Sequence, residues 1–294
     1  MRVRSLIVGI IVLVAFSCSP LKKLPGLESQ ADVAIKQSNY EQAYVHLKQY
    51  LDISESGNVK PKESFYLKMA VVCSQLNKVV EASGYYENLL NKGGNERLIL
   101  DYTSLLAKNN ELEKELEVWS RFQSKLDDKN LQAQAFNRQV VLLNQFQKYE
   151  EVDSLWSGQT EDVNISPEAY FSYVQAADQL GKSKNALKAC NTLLKLKPDH
   201  LEAFKWKAKF LYENAEKRYQ AEMAKYNKNK NATTYAYLRR DLKKISADFR
   251  ESRDLFLKLR KMNPEDKSYV KYLKNIYLRL DMKNEAAKMD KLLK

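Results

Sequence analysis

Residues 167–200 read PEAYFSYVQAADQLGKSKNALKACNTLLKLKPDH. Tyr170, Tyr173, Val174 and Ala177 recur at helical spacing, Leu180-Gly181 interrupts them, and Ala186 and Cys190 lie on a second helical run that Pro198 stops. The stretch is a pair of short helices, and it repeats. With the small residue of the second helix as a mark, the series runs Ala43, Ala82, Leu116, Val152, Ala186, Ser252 and Ala286, at spacings of 39, 34, 36, 34, 66 and 34. Other positions keep step. Tyr66-x2-Met69-Ala70-x2-Cys73 leads to Ala82-x3-Tyr86, Phe136-x2-Gln139-Val140-x2-Leu143 to Val152-x3-Trp156, and Val270-x2-Leu273-Lys274-x2-Tyr277 to Ala286. The segment around 95–128 joins the series by spacing alone, because its Glu111–Glu117 run puts Leu116 where a small residue is expected.

The order Tyr170-x2-Tyr173-Val174-x2-Ala177, Ala186-x3-Cys190, Pro198 resembles the tetratricopeptide repeat. The resemblance covers most of 27–294 and implies an all-α solenoid of helical hairpins. Such hairpins bury their apolar stripes by stacking on their neighbours. The glycine of the family's first helix is absent from the matching places, where Ala70, Ser104, Val174 and Ala208 stand. Composition agrees with many helices and short turns, with only 8 Gly and 6 Pro in 294 residues.

The N-terminus has the parts of a secretory signal: Arg2 and Arg4, an apolar run from Leu6 to Phe16, and Ser17-Cys18. Eleven apolar residues span about half of a ~30 Å hydrocarbon core, which disfavours a transmembrane anchor. The segment resembles a bacterial lipoprotein signal peptide over 1–17. That resemblance implies acylation of Cys18, and Ser19 after it resembles lipoproteins sent on to the outer membrane, facing the periplasm. Ala15-x-Ser17 also suits ordinary signal peptidase. Residues 18–26, with Pro20, Pro25 and Gly26, read as a tether. Cys73 and Cys190 lie several repeats apart, too far to pair, at core-type positions.

The 66-residue step between Ala186 and Ser252 exceeds one period by 32. The excess continues the helical pattern through Ala208, Leu211, Ala215, Tyr219, Met223 and Tyr226, and back through Tyr235, Leu238, Leu242 and Ile245. Alternating 3–4 spacing is a seam between two helices. The pattern predicts a protruding helical arm over 216–247, about 20 Å long, whose excision would restore a spacing of 34 between Ala186 and Ser252. Lys217, Arg218, Lys225, Arg239, Arg240, Lys243 and Lys244 fall on its outer face. Residues 201–294 hold 25 Lys+Arg against 13 Asp+Glu, whereas 18–200 hold 22 against 24. The basic excess is either a solvated face or a surface for an anionic counterpart: phospholipid, lipopolysaccharide, peptidoglycan or an acidic protein segment. A secretory address argues against nucleic acid.

The family resemblance also implies that first helices line a groove for peptides or partner helices. By register this assigns Phe171 and Gln175, then Lys205, Trp206, Lys209 and Tyr212, then Lys271, Tyr272, Asn275 and Arg279. An enzyme is not expected, for no Ser/His/Asp or Cys/His constellation and no Gly-rich phosphate loop occurs. With His46 and His200 the only histidines, neither metal nor cofactor is expected. The sequence reads as a lipid-anchored envelope scaffold that binds envelope proteins or peptide segments. The alternative is an adaptor touching peptidoglycan or lipopolysaccharide through its basic C-terminal third.

Overall fold

The computed structural model describes residues 20–93, 95–159 and 164–293, and these contain fourteen α-helices and no strand. Residues 1–17 and Cys18 lie outside the described residues. The chain divides into two compact units, Met1–Asp127 and Asp128–Lys294. The first unit stacks three hairpins: α1 (Leu24–Lys36) with α2 (Tyr40–Ser56), α3 (Glu63–Gln75) with α4 (Val79–Asn91), and α5 (Glu96–Lys108) with α6 (Leu112–Phe122). The second stacks four: α7 (Lys129–Gln145) with α8 (Tyr149–Ser157), α9 (Pro167–Gln179) with α10 (Ser183–Leu196), α11 (Leu201–Lys228) with α12 (Ala232–Met262), and α13 (Lys267–Arg279) with α14 (Lys283–Leu293). The fold is a tetratricopeptide-like stack of helical hairpins with one long arm.

Six of the seven hairpins turn on a single left-handed residue: Ser38, Asn77, Asn110, Gln147, Gly181 and Asp281, with φ between 56° and 69°. In each, the next residue donates its N–H to the carbonyl five positions back, as from Lys78 to Cys73 (2.8 Å) and from Lys182 to Ala177 (2.8 Å). That bond satisfies one of the carbonyls a helix end leaves open, in the manner of a Schellman cap. The cap and the short connection fold the second helix back on the first.

All seven register marks are second-helix residues, and all are buried: Ala43, Ala82, Val152, Ala186 and Ser252 at 0%, Ala286 at 3% and Leu116 at 8% exposure. The α5–α6 hairpin, assigned by spacing alone, is as regular as the rest; Glu115 within it is buried and accepts from the Trp119 indole (3.2 Å). Neighbouring hairpins are joined by stacked rings. The aromatic four residues after the mark lies flat on an aromatic of the next first helix: Tyr86 on Tyr102 (5.2 Å, 14°), Trp156 on Tyr173 (4.1 Å, 2°) and Phe256 on Tyr272 (4.6 Å, 9°). On α2, where Leu47 holds that place, Tyr50 stacks on Phe65 instead (4.7 Å). These joints strengthen the contacts between neighbouring hairpins, since aromatic stacking adds to the area buried.

Cys73 and Cys190 are free thiols, fully buried, and burial pushes both up to about 12, far from thiolate chemistry at neutral pH. The stretch read as a tether is partly structured. Pro20–Lys23 form a 3-10 turn and α1 starts at Leu24, with Pro25 in the first turn, where its missing N–H has no helical partner to lose. Leu24 is buried, and Leu21 covers Gly57, where an added Cβ would collide with it.

Candidate interaction surface

Helix α11 is 28 residues long and α12 is 31, against 13 for α9 and α13, so the pair outruns its neighbours by at least four turns. Its antiparallel register is set by Ser252 Oγ donating to the Ala208 carbonyl (2.7 Å), by Tyr212 against Phe249 (6.1 Å) and by Tyr226 against Tyr235 (5.9 Å). Small residues at Ala208, Ala215 and Ser252 let the backbones approach, and Leu211, Leu238, Ile245 and Phe249 fill the seam. Tyr235, expected in that seam, is half exposed.

The flank of α11 toward α13 is closed. Tyr212 meets Tyr272 edge-on (5.2 Å) and Tyr272 stacks on Phe256. Arg279 forms a fork on Glu216 (2.6 and 2.7 Å), with its guanidinium 4.5 Å from the Tyr219 ring centroid. Tyr212, Tyr272 and Arg279 were expected to face an open groove; they hold two hairpins together instead. The same contact shows that an arm defined as 216–247 takes in part of the stack, since Glu216 and Tyr219 bind α13 and Arg218 binds Asp248 (2.6 Å).

The opposite flank is partly open. The Trp206 indole donates to Asp178 (3.0 Å) while its ring stacks on Phe210 (4.9 Å, 10°). Gln175 accepts from the Asn144 amide (2.9 Å), and Phe171 lies against His200 (5.2 Å), whose Nδ1 accepts the Ala203 N–H and caps α11. Lys205 is tied to Glu202 (2.9 Å). Glu202, Trp206, Lys209, Phe210 and Glu213 share one helical face, on which the Lys209–Glu213 pair is loose at 3.6 Å with both side chains more than half exposed. Lys271 and Asn275 are exposed on α13. Sequence reasoning missed Phe210, although its spacing of four from Trp206 is the signal that would have found it.

The Arg279 fork holds the Glu216 carboxyl below its ordinary range, chiefly by hydrogen bonding. A depressed folded pKa stabilises the fold above the unfolded value of about 4.3, and the contribution is lost as pH falls through the folded pKa. Glu216→Gln is therefore expected to lower the Tm at pH 6 and to matter progressively less toward pH 3. Melts of both proteins across that range read the converging difference.

On the arm, Arg218, Lys225 and Arg240 are neutralised locally by Asp248, Glu222 and Asp241 (2.6, 2.6 and 3.0 Å). Lys217, Arg239, Lys243 and Lys244 are exposed and make no ion pair among the described residues. Farther out on α12 Tyr235 and Tyr237 stand 50% and 54% exposed, with Arg240 5.3 Å from the Tyr237 ring centroid.

Elsewhere in the second unit a cleft of ≈ 550 Å³ lies where the short α8 stops, lined by Trp156, Ile165, Tyr170, Asn185 and Lys188. Among the described residues no cluster of His, Cys, Asp or Glu could hold a metal, and no helix is long and apolar enough to cross a membrane.

No protein-family model and no curated protein matches the chain. Solved structures do. A Naa15/Naa10 complex bound to HypK-THB superposes with a TM-score of 0.50 at 10% identity, over 93% of this chain and 53% of that one. YrrB, a TPR protein with an unusual peptide-binding site, matches with a TM-score of 0.45 at 18% identity, over 60% of this chain and 88% of its own. A tetratricopeptide repeat protein from Parabacteroides merdae ATCC 43184 matches with a TM-score of 0.44 at 15% identity, over 87% and 99%. At these identities the likeness concerns the fold.

Proposed function

We propose that this chain is a non-enzymatic protein–protein interaction scaffold of the cell envelope, lipid-anchored through Cys18 in the outer membrane and facing the periplasm. The observation that carries the scaffold reading is the strip on α11. Trp206 and Phe210 stack there without being buried, and Lys209 and Glu213 beside them are spent on one loose ion pair. Tryptophan is among the side chains enriched at binding hot spots, and a ring already stacked on Phe210 loses less freedom on binding. The envelope address rests on the residues before Pro20. A second reading, an adaptor touching peptidoglycan or lipopolysaccharide, is favoured by the unpaired cations of the arm.

The test is affinity capture of the tagged chain from detergent-solubilised envelopes, with fatty-acid labelling in parallel. Cys18→Ala should abolish labelling and free the chain from the membrane fraction. Trp206→Ala with Phe210→Ala should reduce captured protein at least tenfold, since a hot-spot residue contributes about 2 kcal/mol or more. An unlabelled wild-type chain sinks the anchor. Capture indifferent to both ring deletions sinks the α11 strip, and retention on purified sacculi in place of proteins favours the adaptor.

A further inference from the structure

Residues 223–240, the distal part of the arm, contain five cations (Lys225, Lys228, Lys230, Arg239 and Arg240) and no Asp or Glu. Lys225 and Arg240 lean on acids just outside that stretch, Glu222 and Asp241. Lys228, Lys230 and Arg239 are exposed and make no ion pair among the described residues. The same end of the hairpin, where Asn231 and Thr234 cap α12, carries two tyrosines that are about half exposed, Tyr235 and Tyr237. We propose that this tip docks on an anionic phospholipid surface, a reading that rests on the arm being a contact element.

Three features select a lipid surface over an acidic protein. The tip is two helices wide, so end-on contact covers a few hundred Å², short of the ~800 Å² per partner of a specific protein interface. A bilayer demands no shape complementarity; it offers diffuse negative charge, against which each nearby Lys or Arg strengthens attachment about fivefold. Tyrosine is the side chain that settles at the head-group level, its ring toward the acyl chains and its hydroxyl in water. The length of the arm holds these groups away from the stack, and the capping box with Asn231 and Thr234 keeps the tip ordered rather than frayed.

The test uses the chain from Pro20 onward, which carries the fourteen helices of the described residues, co-sedimented with phosphatidylcholine vesicles with and without 30% phosphatidylglycerol. Binding is expected only with phosphatidylglycerol and should weaken as salt rises from 50 to 300 mM, because exposed charges are screened. Lys228→Glu with Lys230→Glu and Arg239→Glu should weaken it about a hundredfold or more, the factors of about five per cation multiplying, with circular dichroism and melting unchanged. Lys261→Glu with Lys267→Glu and Lys288→Glu changes net charge equally on exposed sites away from the arm, and should cost less than about tenfold. The proposal is overturned if the folded wild-type chain ignores phosphatidylglycerol at 50 mM salt. It is overturned equally if the two triple variants lose the same affinity, or if polyglutamate binds the tip as tightly as vesicles do. Partner capture through Trp206 and Phe210 is read separately, so failure here leaves the scaffold reading standing, and failure there leaves the tip standing.

Discussion

Tyr86→Ala is expected to destabilise the first unit by about 3–5 kcal/mol, the range for removing a large ring from a packed core. Tyr86 is 2% exposed and Tyr102, on which it stacks, is fully buried, so neither ring has solvent to relax toward. Burial also pushes the Tyr86 phenol up to about 12, which marks how fully water is excluded. The position joins α3–α4 to α5–α6. In a stack, stability is the sum of hairpin terms and neighbour terms, and this substitution removes most of one neighbour term. Amide exchange should therefore quicken first in α5 and α6, while α1 and α2 keep more of their protection. Uniform loss across all six helices would mean the unit is a single cooperative core. Tyr86→Phe keeps the stack and loses the hydroxyl with its hydrogen bond to Ser74, and should cost about 0.5–1.5 kcal/mol, which separates the ring from its hydroxyl.

The architecture was largely legible in the sequence because one physical constraint repeats. Where two helices cross closely the residue must be small, and Ala43, Ala82, Ala186, Ser252 and Ala286 recur where that happens. Even the α5–α6 hairpin, where Leu116 replaces the small residue, followed the spacing. A second signal went unread: the turn residues Ser38, Asn77, Asn110, Gln147, Gly181 and Asp281 mark the same period, and most are types that tolerate a left-handed backbone. The interaction surface was less legible. Periodicity places a residue on a helical face, but it does not say which side chain of another helix reaches it. Arg279 finds Glu216 from 63 residues away, and Tyr272 finds Phe256, so residues assigned to a groove became joints. On the arm, Arg218 finds Asp248 on the other helix in the same way, whereas Lys225 and Arg240 pair within their own helices, with Glu222 and Asp241.

That distinction between joint and surface makes two excisions of the arm behave differently. Removing 216–247 restores the 34-residue spacing between Ala186 and Ser252, yet it takes away Glu216 and Tyr219, leaving Arg279 without its fork and without the ring beneath it. It also removes Ile245, which is 1% exposed in the seam. Arg279 and Glu216 are about a quarter to a third exposed, so the lost pair is partly re-solvated, and the whole deletion is expected to cost about 1–3 kcal/mol. For the second unit, at about 2–4 °C per kcal/mol, that is a fall in Tm of about 2–12 °C. A shorter cut removes 221–228 and 232–240 and keeps Asn229, Lys230 and Asn231 as the turn. Gln220 and Asp241 then face each other as Tyr226 and Tyr235 do, preserving the antiparallel register. This cut spares Glu216, Arg218, Tyr219, Ile245 and Asp248, and among buried residues it loses only Leu238, whose neighbours belong to the arm. The Tm should stay within about 3 °C of wild type, a loss below about 1 kcal/mol. If the short excision melts as early as the long one, the arm is a structural extension of the stack through its whole length, and its root has no special place.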